Sequence, residues 1–202
     1  MSLEPRHPPS VPPGYPREHE RELRLYDGRR VFIRPIVPGD APQLAAAIQA
    51  ADPETLRRRF LGGSPHLTPA LLIHLTTVDY VHRFALAAAD EITGRGVAIA
   101  RYESLGDGVA EIAVVVDPAW RRVGLATALI EMLAAAALDR GIHTFSATYL
   151  AENRPVAALL AHVGGRQLIR QGIAEAAIAL DRERVTAALR DLDSTEHPEP
   201  GG

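Results

Sequence analysis

Residues 117–133, DPAWRRVGLATALIEML, end a run of valines, turn through Pro118, bring two arginines to Gly124 and open a long helix of alanine and leucine. The plain reading is a strand-to-helix turn that contains a glycine. The chemical reading is an anion site. The first amides of a helix have no intrahelical acceptor, and the helix dipole puts roughly half a positive charge beside them. Glycine lets the backbone approach a ligand with no Cβ between them. Arg121 and Arg122 add fixed charge suited to phosphate oxygens. All of these features coincide at 121–126. The spacing Arg121-x-x-Gly124-x-Ala126 is not the nucleotide-triphosphate loop, because no Gly-Lys-Ser/Thr follows. GRGVAI at 94–99 lacks the third glycine of the dinucleotide fingerprint and leads into a strand, so it is set aside.

On either side the hydrophobic period alternates between strand and helix. RRVFIRPI (29–36) predicts a strand of β-branched and aromatic residues, stopped by Pro35 and Pro38. Asp40 and Asp52 are placed to cap two helices, each with a proline in its first turn, and Thr68 caps a third helical piece. HRFALAAAD, GRGVAIARYES and GVAEIAVVVDP predict an antiparallel meander of three strands. A helix over 122–140 closes at Gly141. HTFSATYLA then reads as a strand, NRPVAALLAHVGG as a helix, and RQLIR and IAEAAIAL as two more strands, with DRERVTAAL as a further helix. The order β-α-α-β-β-β-α-β-α-β-β belongs to an α/β fold whose central sheet mixes antiparallel and parallel pairs. The parallel neighbours are expected to be 109–116 and 143–150, joined by the long helix in a right-handed crossover. Residues 1–22 are Pro-rich and polar and are expected to be a disordered arm, with a single domain over 23–193 and a frayed tail over 194–202.

Composition narrows the function. The chain has no cysteine, which excludes a disulfide framework and a thiol nucleophile and agrees with a cytoplasmic location. The net charge of -3 with no long basic block argues against nucleic acid as a partner. No apolar run reaches the roughly 18 residues of a membrane span, and the N-terminus has no apolar signal region, so no membrane partner is expected. All 22 basic residues are arginine, so the protein has no lysine side chain of its own to modify. His74, His82, His143 and His162 lack metal-ligand spacing, and no metal is expected.

With those residues in view, the chain resembles the GNAT N-acetyltransferases. Their acetyl-CoA pyrophosphate loop reads Arg/Gln-x-x-Gly-x-Gly/Ala between a strand and the main helix, and stands here as RRVGLA. The resemblance covers about 29–180, including the element order, and is carried further by AENRPVAALLAHVGG at 151–165. It implies a three-layer mixed α/β fold and acetyl-CoA as co-substrate. Arg121 and the backbone amides of Arg122, Val123, Gly124, Leu125, Ala126 and Thr127 would hold the pyrophosphate. The strand end with Val114, Val115 and Val116 would pair its backbone with the pantetheine arm. Asn153 matches the family's Asn beside that arm, and also reads as a plain N-cap. VFIRPIVPGDAPQLAAAIQAADPETLRRRF (31–60) looks like the bacterial protein-lysine acetyltransferase branch.

Transfer to an amine needs a base. Glu111 is an odd charge in VAEIAVVV, with the strand parity of Ala113 and Val115. Among apolar neighbours its carboxylate would be a stronger base; the alternative is an edge residue in water. The lysine-acetylating branches place a catalytic Glu at this point, which favours the first reading. Many family members also carry a tyrosine acid seven residues after the Asn; here that position is Leu160, with Tyr149 as a displaced alternative. Ser146 and Thr148 lie on a strand and read either as facing the acceptor cleft or as structural hydroxyls. Trp120 is expected to pack the turn, and Arg57, Arg58 and Arg59 to form a solvated face or a docking patch. The expected activity is therefore acetyl transfer to a protein lysine, by a monomer or weak dimer. The alternatives are a small-amine acetyltransferase of the same fold, or a CoA-binding module without turnover. A small-amine enzyme would enclose its acceptor under residues 52–80, whereas a protein-modifying one would leave an open groove.

Overall fold

The alternating apolar residues of 83–116 fold as the expected meander: β3 (Arg83–Asp90), β4 (Gly96–Gly106) and β5 (Val109–Val116) are antiparallel neighbours. The structure, a computed structural model, describes residues 10–61 and 67–196. Within it β1 (Arg21–Arg24), β2 (Arg30–Pro35), β6 (Thr144–Leu150), β7 (Arg166–Arg170) and β8 (Ile173–Ala179) complete an eight-stranded sheet in the order β1-β2-β3-β4-β5-β6-β8-β7. Helices α1 (Ala41–Ala50), α2 (Pro53–Arg59) and α3 (Pro69–Thr76) precede the meander. Then α4 (Leu125–Leu138) joins β5 to β6, α5 (Arg154–His162) joins β6 to β7, and α6 (Arg182–Glu196) follows β8. The single parallel pair of the sheet is β5 with β6, as the crossover helix requires.

Residue parity divides the two faces of the sheet. Tyr102, Ala110 and Ile112 point to a core shared with Leu125, Leu129 and Leu133 of α4. Phe84 stacks on Tyr102 with ring centroids 5.8 Å apart, and Tyr102 meets Phe145 at 6.2 Å. Ala128, Ala136 and Ala137 are buried on α4, and their small side chains let the helix lie close to the strands. The opposite residues, Arg101, Glu103 and Glu111, share the other face, where Leu75 of α3 meets Arg101.

Several expectations change. The structure adds β1 to the expected elements, while the helical piece capped by Thr68 and the helix expected at DRERVTAAL are present as α3 and α6. The expected arm over 1–22 holds structure in its described part: Arg17–His19 form a 3-10 turn and Arg21–Arg24 pair with β2. Tyr15 meets Tyr80 edge-on at 5.8 Å, His19 meets Phe84 at 5.0 Å, and Leu23 is buried. These few side chains anchor a segment whose proline content pointed to disorder. At the other end α6 runs to Glu196, past the expected boundary at 193. Residues 1–9 and 197–202 lie outside the described residues. Asp40 precedes α1 but does not cap it; its carboxylate pairs with Arg34 at 2.6 Å and accepts from the Val37 N–H at 2.9 Å. The main helix opens at Leu125 rather than 122, because Arg122 and Gly124 take left-handed backbone angles that no helix continues.

One charge in α4 is misplaced for stability. Glu131 is buried, and one of its carboxylate oxygens has no hydrogen-bond partner. Burial pushes its carboxyl above the usual carboxylate range, against smaller opposing effects of Arg184 and His162. A raised folded-state pKa means that stability is lost as pH rises through the unfolded and then the folded value. Glu131→Gln is therefore expected to raise the melting temperature by about 2–4 °C at pH 8, and by less at pH 5. Thermal melts at the two pH values check this.

Candidate active site

The junction at 121–127 has the geometry of an anion cradle. Arg122 has φ 64° and Gly124 has φ 90°, with Val123 between them outside the left-handed region. Alternation of handedness turns successive amides toward one side, the arrangement of an anion nest. Gly124 is the N-cap of α4 and offers no side chain to the first amides of the helix. A Cβ on Gly124 would lie 2.9 Å from Cε2 of Tyr26, so a side chain there needs that exposed ring to shift, and the left-handed angle itself favours glycine. The hairpin between β1 and β2 is fastened to this cradle. The Tyr26 N–H donates to the Val123 carbonyl at 3.2 Å. The Arg29 guanidinium donates to the Ala119 carbonyl at 2.9 Å and lies 3.9 Å from the centre of the buried Trp120 ring. Trp120 thus packs the turn, as expected.

The strand before the cradle has an open edge. The Asp117 N–H donates to the Val97 carbonyl at 2.8 Å, and antiparallel alternation then turns the backbone of Val115, Ala113 and Glu111 toward β4. Ile112, Val114 and Val116 present theirs to the other side. Pairing with β6 is limited to Val109↔Thr144, Ala110↔Phe145 and Glu111↔Ser146. Beyond that row the strands diverge, and the N–H and C=O of Val114 have no strand beside them. Val115 is corrected accordingly: its backbone belongs to the β4 ladder and can add only a side chain to this gap. The Val116 carbonyl is already taken, by Nε of Arg121 at 3.0 Å.

Arg121 differs from its expected place among the phosphate ligands. Its second donor reaches Oγ1 of Thr55 at 2.8 Å, and Thr55 is held by Asp52, the N-cap of α2. Arg57 pairs with both Glu54 and Glu152, the latter just beyond β6. Helix α2 therefore spans the divergence of β5 and β6, tied to one side by Arg121 and to the other by Arg57. Arg121→Leu is expected to cost about 1–2 kcal/mol of stability through the two lost bonds, measured by urea unfolding.

Glu111 stands at the last paired row, beside Ser146, and is exposed. The apolar setting anticipated for it is absent; the charge that feels it is Arg59 of α2. All three arginines of 57–59 are half-buried; Arg57 and Arg58 share Glu54, and among the described residues Arg59 has no such ion pair. Asn153 is buried at 6% exposure in the N-cap position of α5, yet its side chain makes no capping bond, which leaves the amide for another partner. Leu160 is core. The Tyr149 hydroxyl is buried without a partner, and burial pushes the phenol up. Ser146 and Thr148 line an open cavity of about 450 Å³ together with Arg166, Leu168, Glu175 and Ala177. Among the described residues no group of His, Cys, Asp or Glu could hold a metal ion, and no helix is long and apolar enough to cross a membrane.

Thr55, Arg101 and Tyr26 were not singled out from sequence. Asp27-Gly28 is a hairpin signal, and would have placed Tyr26 at a turn; nothing local would have placed it over Gly124.

Comparison with known proteins is consistent with this geometry. The family described as Acetyltransferase (GNAT) family matches residues 52–164. Acetyltransferase PA5475 of Pseudomonas aeruginosa is 32% identical over 143 residues, covering 69% of this chain and 77% of its own. Acetyltransferase Pat of Mycolicibacterium smegmatis is 29% identical over 144 residues, covering 70% of this chain and 43% of its own. The crystal structure of the GNAT domain of S. lividans PAT superposes with a TM-score of 0.76 at 31% identity, over 82% of this chain and 99% of that domain.

Proposed function

Because the chain belongs to the acetyltransferase (GNAT) family, and is thus an acetyl-CoA-dependent N-acetyltransferase, we propose that its acceptor is the side-chain amine of a protein lysine. The observation that carries this reading is the open sheet face beside Glu111. In register with Glu111 lies Ser146, then Ala177 of β8 and Arg166 of β7. The outward residues of β8 and all of β7 are exposed. The helices before the meander meet β4 and β5 and reach no further than β6, so they leave this half uncovered. A groove of this form admits an extended chain, whereas an enclosed pocket suits a small amine. The likeness of residues 31–60 to the protein-lysine branch, and the similarity to Pat, support the same acceptor class.

The amides of 122–127 fit the pyrophosphate of acetyl-CoA, since Gly124 leaves them uncovered and they face one side. The open backbone of Val114 fits the pantetheine arm, and the family resemblance assigns the Asn153 amide to the same arm. The co-substrate supplies an activated acetyl group as a thioester. At pH 7 only about one lysine amine in a few thousand is neutral. Glu111, exposed at the end of the groove, takes the proton that the amine loses. The C–N bond forms as the C–S bond breaks, and the Val114 N–H donates to the oxygen on which charge develops. The sulfur departs as a thiolate, whose parent thiol has a pKa near 8.5, and is reprotonated from solvent. Leu160 gives no acid, and none is required for such a leaving group. Without cysteine the chain cannot form an acetyl-cysteine thioester of its own, which agrees with direct attack of the amine on the co-substrate.

Incubation with labelled acetyl-CoA and a cell extract, later split into macromolecules and small molecules, tests the acceptor class. Label on protein lysines is expected, and none of it can come from side chains of this chain, which has no lysine. Label confined to small molecules would overturn the protein-lysine reading in favour of a small amine.

A further inference from the structure

The half of the β4–β5 face beneath α2 and α3 carries charge where a roofed sheet is ordinarily apolar. Arg101 stands opposite Ala113, and Glu103 opposite Glu111, so all four share one face of the sheet. Arg101 is only 7% exposed. One terminal nitrogen donates to the Leu75 carbonyl at 3.5 Å, the long limit for such a bond, and the other has no partner. Arg59 lies on α2, which packs on β5, and is half-buried. Among the described residues it makes no ion pair; its charge acts on Glu111 and on Arg101. The neighbouring charges are otherwise engaged. Arg83 of β3 lies 3.1 Å from Nδ1 of His74, and the other ring nitrogen of His74 lies 3.5 Å from Glu103. Burial pulls both Arg59 and Arg101 below the usual arginine value, but an arginine stays charged at neutral pH. Three cations, Arg59, Arg83 and Arg101, thus share this region with two carboxylates, Glu103 and Glu111, and a buried guanidinium N–H is left unsatisfied. An unpaired buried cation is among the costliest groups a fold can hold.

We propose that Arg59 and Arg101 form a carboxylate-binding subsite next to Glu111, filled by a carboxylate that a substrate carries a short chain away from its reacting centre. One negative charge balances the surplus, and two guanidinium groups match the two oxygens of a carboxylate. The inference rests on Glu111 marking the reaction centre. The carboxylate has two chemical sources. It is the end of a dicarboxylic acyl chain on the CoA donor, running beside the small Ala113, or it is an acidic side chain next to the acceptor lysine.

Two ligand pairs separate these sources on the full chain. Succinyl-CoA is compared with butyryl-CoA by calorimetry. Lysine peptides with Glu or Gln beside the lysine are compared in the same way, with and without CoA. One pair is expected to show a preference of about tenfold or more for the carboxylate, the scale of a hydrogen bond to a charged group. The pair that does so names the source. Arg59→Gln is expected to bring that ratio to within about twofold of one, and Arg59→Lys to restore part of it. Arg101→Met repeats the test from the buried side, with circular dichroism to show that the variant folds. Ratios near one in both pairs, or a preference that survives Arg59→Gln, would overturn the subsite. CoA esters that bind without preference, together with peptides that show none, would remove the subsite alone, whereas failure of every CoA ester to bind would remove the acetyltransferase reading. In that case the peptide pair still decides the subsite.

Discussion

Gly124→Glu is expected to raise the Kd for CoA about a hundredfold or more while the protein still folds. Three effects add at this position. The φ of 90° costs an L-residue about 1–2 kcal/mol, so some of the variant population leaves the cradle geometry. The new side chain stands where the amides of the first turn are open. Its carboxylate is held at the positive end of α4, where it competes for the same N–H groups and repels phosphate. The fold survives because the atom that a Cβ would meet belongs to the exposed ring of Tyr26, which can swing aside. Gly124→Ala separates angle from charge, and a loss nearer tenfold is expected. Calorimetric titration, paired with thermal melts, measures both variants. Unchanged affinity in Gly124→Glu would show that phosphate does not bind there.

Glu111→Gln is expected to lower kcat/KM about 10²–10³-fold at pH 7, the range of a lost general base, with CoA affinity held within about twofold. The amide keeps the shape of the side chain and removes its capacity to accept a proton. The deficit is expected to shrink as pH rises toward the amine pKa near 10.4, because the acceptor then arrives already neutral. That pH dependence distinguishes a base from a partner of Arg59. A merely structural ion pair with Arg59 would change stability and leave the pH–rate profile parallel to that of the wild type.

Much of this arrangement is legible in the residues because it is local. The valine strand, the turn at Pro118, Gly124 and the alanine-rich α4 each follow from period, cap or backbone freedom within a few positions. The meander and the parallel crossover follow in the same way. What escaped depends on contacts far apart in sequence. β1 has one buried leucine in RELR, and its partner strand supplies the rest of its stability. The path of Arg121 to Thr55 spans 66 positions, and that of Arg101 to Leu75 joins a strand to a helix end. No local pattern announces either. Parity places Glu111 on its face of the strand, but its exposure follows from where β6 leaves β5, which no single strand encodes. Arg59 sits in a run of three arginines that looks uniform, and only the orientation of α2 separates it from Arg57 and Arg58.

The open edge of β5 and the cradle at its end are expected to form one continuous binding surface for acetyl-CoA. Amide hydrogen exchange with and without acetyl-CoA checks this. The amides of Val114 and of residues 122–127 are expected to slow on binding, while those of α1, on the far side of the sheet from the cradle helix, keep their rates. Protection elsewhere, with Val114 and 122–127 unchanged, would contradict it.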